Sequence, residues 1–209
     1  MKTMESDTTS ADAVVSDTAR LGRKCKVGHF SKIGNNCSIG DNVIISENVT
    51  IEQNTTIGNN CRIQPGVVIG AEGFPYERNK DNFELEKFPH IGGVKLGGNV
   101  EVSSNRSIAR GSVSDTVIGD GSKLDGLVHI AHNVEIGRNC ALTVGTIVEG
   151  STKIGDVCWG GLNCTIRHKL KIGTNVIIGN GSCVINNIPH SDIVAGFLQN
   201  LLSTKSSLN

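Results

Sequence analysis

Aliphatic residues recur at every sixth position along most of this chain. One run of the pattern extends from Leu21 to Ile69, and another extends from Ile118 to Val184 with Gly160 as its one exception. A six-residue period is neither helical nor the simple alternation of a two-faced sheet, and such repeats are typical of solenoids of parallel strands. The pattern predicts an all-β fold, a hexapeptide-repeat parallel β-helix with three hexads in each turn.

The periodicity divides the chain into three segments. We predict a flexible N-terminal tail over residues 1–19, the β-helix over residues 20–185 and a C-terminal exit segment over residues 186–209. The phase is lost over residues 71–93, an insert that contains four of the seven aromatic residues of the chain. A long loop that carries so many aromatic side chains indicates a packed, functional loop.

The composition argues against several classes of function. The 20 Lys and Arg residues balance the 20 Asp and Glu residues, so no net charge favours nucleic acid or an anionic membrane. No apolar segment has the length of a membrane span or a signal peptide. We therefore expect a cytoplasmic protein with no nucleic-acid partner and no membrane span. The 26 glycines suit a solenoid, whose tight turns need a permissive backbone.

The cysteines raise the question of a metal or disulfide site. Six of the seven fall four places after a repeat aliphatic or its Gly160 substitute, and this place also points inward in a hexapeptide coil. The count is odd and no C-x-x-C pair is present, so the pattern favours buried core residues over zinc ligands or disulfides. The six in-phase cysteines are Cys25, Cys37, Cys61, Cys140, Cys158 and Cys164.

One column of outward positions could carry chemistry. His132, Gly150 and His168 each lie two places after a repeat aliphatic and are separated by 18 residues, which is one full turn. We therefore expect them to stack along one edge of the prism. A histidine beside a residue without a side chain suits acyl transfer, because imidazole can act as a general base and a free backbone N–H can stabilise an oxyanion.

Two further polar residues lie close to this column in sequence. Asp125 precedes His132 by seven residues and could orient an imidazole or hold the incoming nucleophile, and His129 lies between them. Outward positions of a solenoid are often polar without any function, so His168 alone could equally be a solvated surface residue.

Four stretches of the chain carry a more specific signal. They read IGAEGFPYERN, EKFPHIGGVKLGGNVEV, SIARGSVSDTVIGDG and KLDGLVHIAHNVEIG. Together they resemble the bacterial UDP-3-O-acylglucosamine N-acyltransferase family of lipid A biosynthesis. The resemblance runs from about Ile57 to Val184, and it includes the insert and a slip of ten residues, instead of twelve, between Ile108 and Ile118.

The resemblance implies a left-handed parallel β-helix that forms a homotrimer with active sites between subunits. The family's catalytic histidine falls on His132, its oxyanion glycine on Gly150 and the aspartate of its K-I-D-N stretch on Asp125. The implied chemistry is direct transfer of an acyl group from a thioester to the amine of a UDP-sugar, with no covalent enzyme intermediate. It needs no metal and no bound cofactor, since the acyl-CoA or acyl carrier protein thioester is a co-substrate.

The same resemblance suggests which residues bind substrate. We expect His129 to position the nucleotide-sugar acceptor and His168 to contact substrate further along the column. The insert would cover the thioester groove between subunits and would contribute Phe74, Tyr76 and His90.

The chain also departs from the family pattern. The family has an N-terminal uridine-binding domain where this sequence has a short segment, and longer C-terminal helices where this sequence ends soon after the last coil. The family's second histidine falls on Lys169, and Gly126 replaces the asparagine of K-I-D-N. His129 instead matches a histidine of the sibling UDP-N-acetylglucosamine O-acyltransferases.

Three hypotheses of function follow. The leading one is an N-acyltransferase for an amino sugar nucleotide, with acetyl-CoA, another small acyl-CoA or acyl carrier protein as donor. The second is a zinc enzyme of the γ-carbonic-anhydrase kind, which needs three converging histidines; His129 and His132 are spaced by three residues, not the five of that family. The third is a non-catalytic solenoid, either a scaffold or a relic of the acyltransferase.

Overall fold

Residues 8–74 and 76–196 are described by a computed structural model, and they form a three-sided solenoid. Three parallel sheets of ten, nine and eight strands make its faces, and each strand pairs with the equivalent strand of the next coil. Where the repeat is regular, paired residues are 18 apart, as for Ile33 with Ile51 and Ile130 with Val148. The predicted all-β hexapeptide solenoid is confirmed.

The strands are short, and we number the faces in the order in which the chain visits them. Face 1 comprises Thr8–Thr9, Lys26–Val27, Ile44–Ile45, Arg62–Ile63, Glu101–Val102, Lys123–Leu124, Ala141–Leu142, Trp159–Gly160, Ile177–Ile178 and Ile193–Val194. Face 2 comprises Val14–Val15, Lys32–Ile33, Thr50–Ile51, Val68–Ala71, Ser107–Ala109, His129–Ile130, Ile147–Val148, Thr165–Ile166 and Cys183–Val184. Face 3 comprises Arg20–Leu21, Ser38–Ile39, Thr55–Ile57, Val94–Leu96, Thr116–Ile118, Glu135–Ile136, Lys153–Ile154 and Lys171–Ile172.

The repeat aliphatics form the core of the prism. Ile33, Ile51, Ile69, Ile108 and Ile130 stack on successive coils of face 2, and none is more than 1% exposed. Each such side chain stabilises the fold by roughly 1.5–3 kcal/mol when it is fully buried. The corners between faces require a left-handed backbone, and 11 of the 19 described non-glycine residues with positive φ are asparagines. Asparagine tolerates this conformation better than most residues, which explains the N-rich corners of the sequence.

The inward positions also explain why the cysteines are buried and why a glycine replaces the repeat aliphatic at position 160. All six in-phase cysteines are at most 3% exposed, as predicted for core residues, and Cys183 is half-buried. A Cβ atom at Gly160 would lie 2.9 Å from Leu142 Cδ2 and 3.4 Å from Cys164 Sγ. Neighbouring side chains therefore fill the space that an aliphatic residue would occupy in this coil.

The solenoid is longer at both ends than the sequence suggested. Residues 8–19, which we assigned to a flexible tail, form the strands Thr8–Thr9 and Val14–Val15, and Val14 N–H donates to Ser31 O. The hydrogen bonds to the next coil order this segment even though most of its side chains are small or polar. In the predicted exit segment, Ile193–Val194 adds a last strand to face 1. Residues 1–7 and 197–209 lie outside the described residues.

Both irregularities of the repeat occur at the corner between face 2 and face 3. The insert leaves after Val68–Ala71 and returns before Val94–Leu96, and it contains an antiparallel hairpin of Tyr76–Arg78 with Leu85–Lys87. The slip lies one coil later, between Ser107–Ala109 and Thr116–Ile118. These strands lie on adjacent faces, so the ten residues from Ile108 to Ile118 replace the six of one hexad. The slip is therefore an insertion of four residues and not the two-residue shortening that the sequence suggested. Arg110, which is buried, joins the two segments by donating from Nε to Gly70 O over 2.6 Å.

No helix within the described ranges is long and apolar enough to cross a membrane.

Two neighbouring isoleucines of face 1 test the inward packing. Ile178 is 2% exposed and Ile177 is 44% exposed. We expect Ile178→Ala to lower the free energy of unfolding by about 2–5 kcal/mol because it leaves a cavity. The control Ile177→Ala should cost about 1 kcal/mol or less, since its side chain is partly solvated in the wild type. Urea unfolding followed by circular dichroism compares them, and equal losses would contradict the assigned orientation.

Candidate active site

The predicted column lies at the same corner as the insert and the slip. His132, Gly150 and His168 follow the face 2 strands His129–Ile130, Ile147–Val148 and Thr165–Ile166 on three consecutive coils. Their backbones are joined through the next residue: Ser151 N–H donates to His132 O, and Lys169 N–H donates to Gly150 O, both over 3.0 Å. The structure thus stacks these three residues as the 18-residue spacing predicts.

The imidazole of His132 lies directly against Gly150. A Cβ atom at Gly150 would lie 2.7 Å from His132 Nε2 and 2.8 Å from Cε1, so any side chain at this position would displace the ring. Among the described residues, none accepts a hydrogen bond from the Gly150 N–H. One coil later, by contrast, the His168 N–H donates to the carboxylate of Glu149. The corner therefore presents a backbone donor without a partner beside a histidine ring.

Asn133 fixes the orientation of the His132 ring. His132 Nδ1 lies 3.0 Å from Asn133 Oδ1. The same oxygen accepts hydrogen bonds from Ser112 N–H and Ser112 Oγ, and Asn133 Nδ2 donates to the backbone and side-chain oxygens of Ser114. These partners set the amide so that its oxygen faces His132, and Nδ1 must carry the hydrogen. In the neutral ring, Nε2 then holds a lone pair, as a general base requires.

The slip is the reason that these partners are within reach. Ser112 and Ser114 lie in the segment between the strands Ser107–Ala109 and Thr116–Ile118, one coil before His132. Thr116 adds a further bond, since its hydroxyl oxygen accepts from Asn133 N–H over 2.9 Å. A regular hexad would turn the corner without this bulge. The departure from the repeat therefore supplies the groups that hold Asn133, and through it His132, in position.

The insert folds over the His132 ring. His90 is 6% exposed, and its ring lies edge-to-face with that of His132, with 5.3 Å between centroids. A Cβ atom at Gly73 would lie 3.4 Å from His90 Nε2 and 3.5 Å from His132 Cδ2, so the start of the insert packs closely there. Ile91 N–H donates to Ser112 O and ties the end of the insert to the slip.

These elements enclose one groove of about 720 Å³. Residues of the column, of face 2 and of the insert all contribute to it. Its lining includes His129, His132, Gly150, His168 and Lys169, together with Glu72, Gly73, Phe74, Ser107, Ala109, Ala131, Glu149 and Ser151. The groove thus brings together most of the residues that the sequence singled out.

Two other histidines of the groove have different surroundings. Partial desolvation in the groove lowers the pKa of His129 below its ordinary value, although the residue is exposed, so its imidazole is neutral at pH 7 and can both donate and accept. His168 Nδ1 lies 3.3 Å from Glu149 Oε2, which also accepts from the His168 N–H over 3.1 Å. His168 is therefore oriented by a carboxylate instead of being a freely solvated side chain.

Asp125 is not part of this groove. It lies at the corner between face 1 and face 2, whereas His132 lies at the other end of the same face 2 strand, His129–Ile130. Its Oδ1 accepts from Gly126 N–H over 2.7 Å. Within one chain, the structure does not bring Asp125 to His132, contrary to our expectation that the two could interact directly. Tyr76 also lines no part of the groove and packs against Phe74, with 5.0 Å between ring centroids.

Sequence reasoning missed Asn133 and Glu149. Asn133 directly follows the histidine and has a positive φ like other corner asparagines, so its sequence signal was indistinguishable from a structural one. Glu149 directly precedes Gly150 at a position that is Ala131 on the preceding coil. The change from alanine to a carboxylate beside the candidate oxyanion donor was the available signal.

A family model described as bacterial transferase hexapeptide (six repeats) matches residues 18–53, 38–71 and 115–150. Over these residues the chain is similar to the hexapeptide repeat of bacterial transferases. The chain is 38% identical to the UDP-3-O-acylglucosamine N-acyltransferase of Bordetella parapertussis over 125 residues. These aligned residues are 59% of this chain and 34% of that protein. The equivalent protein of Bordetella pertussis is 38% identical over 128 residues, 60% of this chain and 35% of the relative. The predicted resemblance is confirmed, although this chain spans about a third of the length of these relatives.

Solved structures share the fold of this hexapeptide-repeat protein. The UDP-N-acetylglucosamine acyltransferase of Bacteroides fragilis superposes with a TM-score of 0.76 at 27% identity, over 90% of this chain and 69% of that chain. The enzyme of Campylobacter jejuni gives a TM-score of 0.77 at 24% identity, over 87% of this chain and 68% of that chain. These neighbours are left-handed β-helices, so the predicted left-handed parallel β-helix is confirmed.

The role of Asn133 can be tested without a substrate. Asn133→Ala removes the acceptor for His132 Nδ1–H and the bonds to the slip, so we expect His132 to lose its fixed tautomer. Nitrogen-15 NMR of the imidazole should show a predominantly Nδ1-protonated ring in the wild type and a mixture of tautomers in the variant. An unchanged tautomer in the variant would contradict the orientation that we assign to Asn133.

Proposed function

We propose that this hexapeptide-repeat protein is an N-acyltransferase that moves an acyl group from a thioester to the amine of a nucleotide-linked amino sugar. The observation that carries the proposal is the pairing of His132 with Gly150: an imidazole with its Nε2 lone pair available lies against a backbone N–H that lacks a partner among the described residues. The similarity to the UDP-3-O-acylglucosamine N-acyltransferases of Bordetella supports the substrate class.

The reaction follows from these two groups. The amine nitrogen attacks the thioester carbonyl carbon, forming the N–C bond, while His132 Nε2 takes a proton from the amine. The carbonyl oxygen becomes an oxyanion, which the Gly150 N–H stabilises by a hydrogen bond. The C–S bond then breaks, and the proton passes from His132 to the departing thiolate. The products are an amide and a thiol, and no covalent bond to the enzyme forms.

The groove provides the binding sites for this reaction. The neutral His129 is placed to donate to or accept from the acceptor sugar, and Phe74 contributes an exposed aromatic surface from the insert. His90 holds the His132 ring from the insert side by edge-to-face packing. The donor thioester lies along the groove, and acyl-CoA and acyl carrier protein both remain candidates because they offer the same reacting group.

The position of Asp125 favours a homotrimer with active sites between subunits. Asp125 lies on the corner opposite the groove, and exposed apolar residues share that corner: Leu127, Val144 and Leu162 are 65%, 36% and 45% exposed. Such a ridge is typical of an interface between protein chains. If this corner of one subunit borders the groove of the next, Asp125 of that neighbour can hold the acceptor opposite His132.

The alternatives receive less support. Within residues 8–74 and 76–196, no three His, Cys, Asp or Glu side chains are grouped as ligands for a metal, so nothing there favours the zinc hypothesis. A scaffold has no need of an oriented imidazole, a fitted glycine and an insert packed over both. Only an absence of turnover with every donor and acceptor would favour the non-catalytic hypothesis.

Thiol release is the direct test. The wild type is assayed with acetyl-CoA, longer acyl-CoA and acyl carrier protein thioesters against UDP- and dTDP-amino sugars. His132→Ala should reduce turnover by about 10²- to 10⁴-fold because it removes the general base. Gly150→Ala should cost about 10²-fold or more because its Cβ displaces the imidazole and obstructs the oxyanion donor. His29→Ala, a matched control on the distant residue that pairs with Asp12, should retain full activity. Turnover that survives in His132→Ala would overturn the mechanism.

Subunit complementation tests the shared active site. His132→Ala and Asp125→Ala are each expected to be inactive alone. Co-expressed in equal amounts, they should regain about a quarter of wild-type activity, since about half the sites retain His132 and half of those border a subunit with Asp125. No recovery from mixed oligomers, confirmed by two affinity tags, would mean that both residues serve the same subunit's site. Full activity of Asp125→Ala alone would mean that Asp125 has no role.

A further inference from the structure

Two carboxylates line the groove, and only one of them is neutralised by a basic side chain. Glu72 lies 2.5 Å from Lys87 Nζ, and this hydrogen bond lowers the pKa of Glu72. Glu149 has no Lys or Arg partner within ion-pair distance among the described residues, and its one ionic contact is with His168. The groove therefore holds one carboxylate whose charge is available to a ligand.

The fold holds Glu149 in place on one side and leaves the other side accessible. Its Oε2 accepts from the His168 N–H over 3.1 Å and lies 3.3 Å from His168 Nδ1. The side chain is 44% exposed, and Oε1 has no hydrogen-bond partner among the described residues. The equivalent position on the preceding coil is Ala131, which also lines the groove and leaves room in front of the carboxylate.

We propose that Glu149 binds the amino group of the acceptor and thereby selects an amine over a hydroxyl as the nucleophile. This inference rests on the proposed acyl transfer and names its acceptor more closely. Glu149 directly precedes Gly150, the oxyanion donor, and lines the same groove as His132. A carboxylate next to the site of attack attracts an ammonium ion, which loses one proton to solvent before it reacts.

The number of hydrogens on the nucleophile provides the selectivity. A neutral primary amine has two N–H groups, so it can donate one to Glu149 and the other to His132 Nε2 at the same time. A hydroxyl has one O–H, and donation to His132 leaves Glu149 facing an oxygen lone pair. After attack on the thioester, His132 takes one proton and delivers it to the departing thiolate. Glu149 gains no proton and acts by holding the second N–H.

His168 has a positioning role in this arrangement. Its backbone N–H belongs to the solenoid and holds Glu149 Oε2 whatever the side chain is. The ring contributes a second contact through Nδ1. His168→Ala should therefore weaken amine binding only severalfold, and less than any change of Glu149 itself.

The test compares Glu149→Gln and Glu149→Ala with the wild type on two acceptors. One is a UDP-amino sugar, and the other is the matching UDP-sugar with a hydroxyl in place of the amine. We expect kcat/KM for the amine to fall by about 10- to 100-fold, the loss typical of a hydrogen bond to a charged group, and the preference over the hydroxyl to fall equally. Glu135→Gln is the matched control, since Glu135 pairs with Lys153 on face 3 outside the groove.

Calorimetric binding of the same two nucleotides, without a donor, separates this inference from the proposed function. The wild type should bind the amine more tightly than the hydroxyl, and Glu149→Gln should remove that difference while circular dichroism shows an unchanged fold. Equal affinities in the wild type, or a preference that persists in Glu149→Gln, would overturn the inference whether or not turnover is seen. In the kinetic comparison, a Glu149→Gln effect confined to the KM for the thioester would also overturn the inference, because Glu149 would then contact the donor. Binding as expected without any turnover would refute the acyl transfer alone.

Discussion

The stacking of each coil on the next is the constraint on which this structure depends. The strands of the three faces hydrogen-bond to their equivalents in the adjacent coils, and the inward aliphatic residues must stay in phase to remain buried. A coil can therefore vary only where it turns outward, at a corner, or where it ejects extra residues into solvent. Both irregular segments of this chain obey that rule, and both leave at the corner between face 2 and face 3.

The candidate active site combines the regularity of the solenoid with these irregularities. The repeat places His132 and Gly150 on adjacent coils with a separation that the backbone ladder fixes, so the imidazole meets a glycine at contact distance. The slip and the insert supply what a regular coil cannot. Ser112 and Ser114 orient Asn133, which in turn orients His132, and His90 packs on the ring from the insert. Rigid elements and fitted loops thus hold the groups in position before any substrate binds.

One chain supplies only part of the proposed chemistry. The base, the oxyanion donor and the carboxylate of Glu149 share one groove, but Asp125 lies at the far end of the strand that leads to His132. A prism exposes different residues on each of its edges, and a second copy is the simplest means of bringing two edges together. The apolar ridge beside Asp125 gives a physical reason for the association that we propose, since burial of the ridge would remove hydrophobic surface from water.

The sequence by itself determined the solenoid, the buried cysteines and the spacing of the His132 column, because a six-residue period states directly which residues face inward and which share an edge. It did not determine that residues 8–19 form an ordered coil. Their side chains are mostly small and polar, so the aliphatic repeat is weak there, yet their backbone still pairs with the next coil. Nor did it place Asp125 on another edge, or join Asn133 to Ser112 and His90 to His132. Those contacts link irregular segments, where no periodicity applies and only the path of the folded backbone decides which side chains meet.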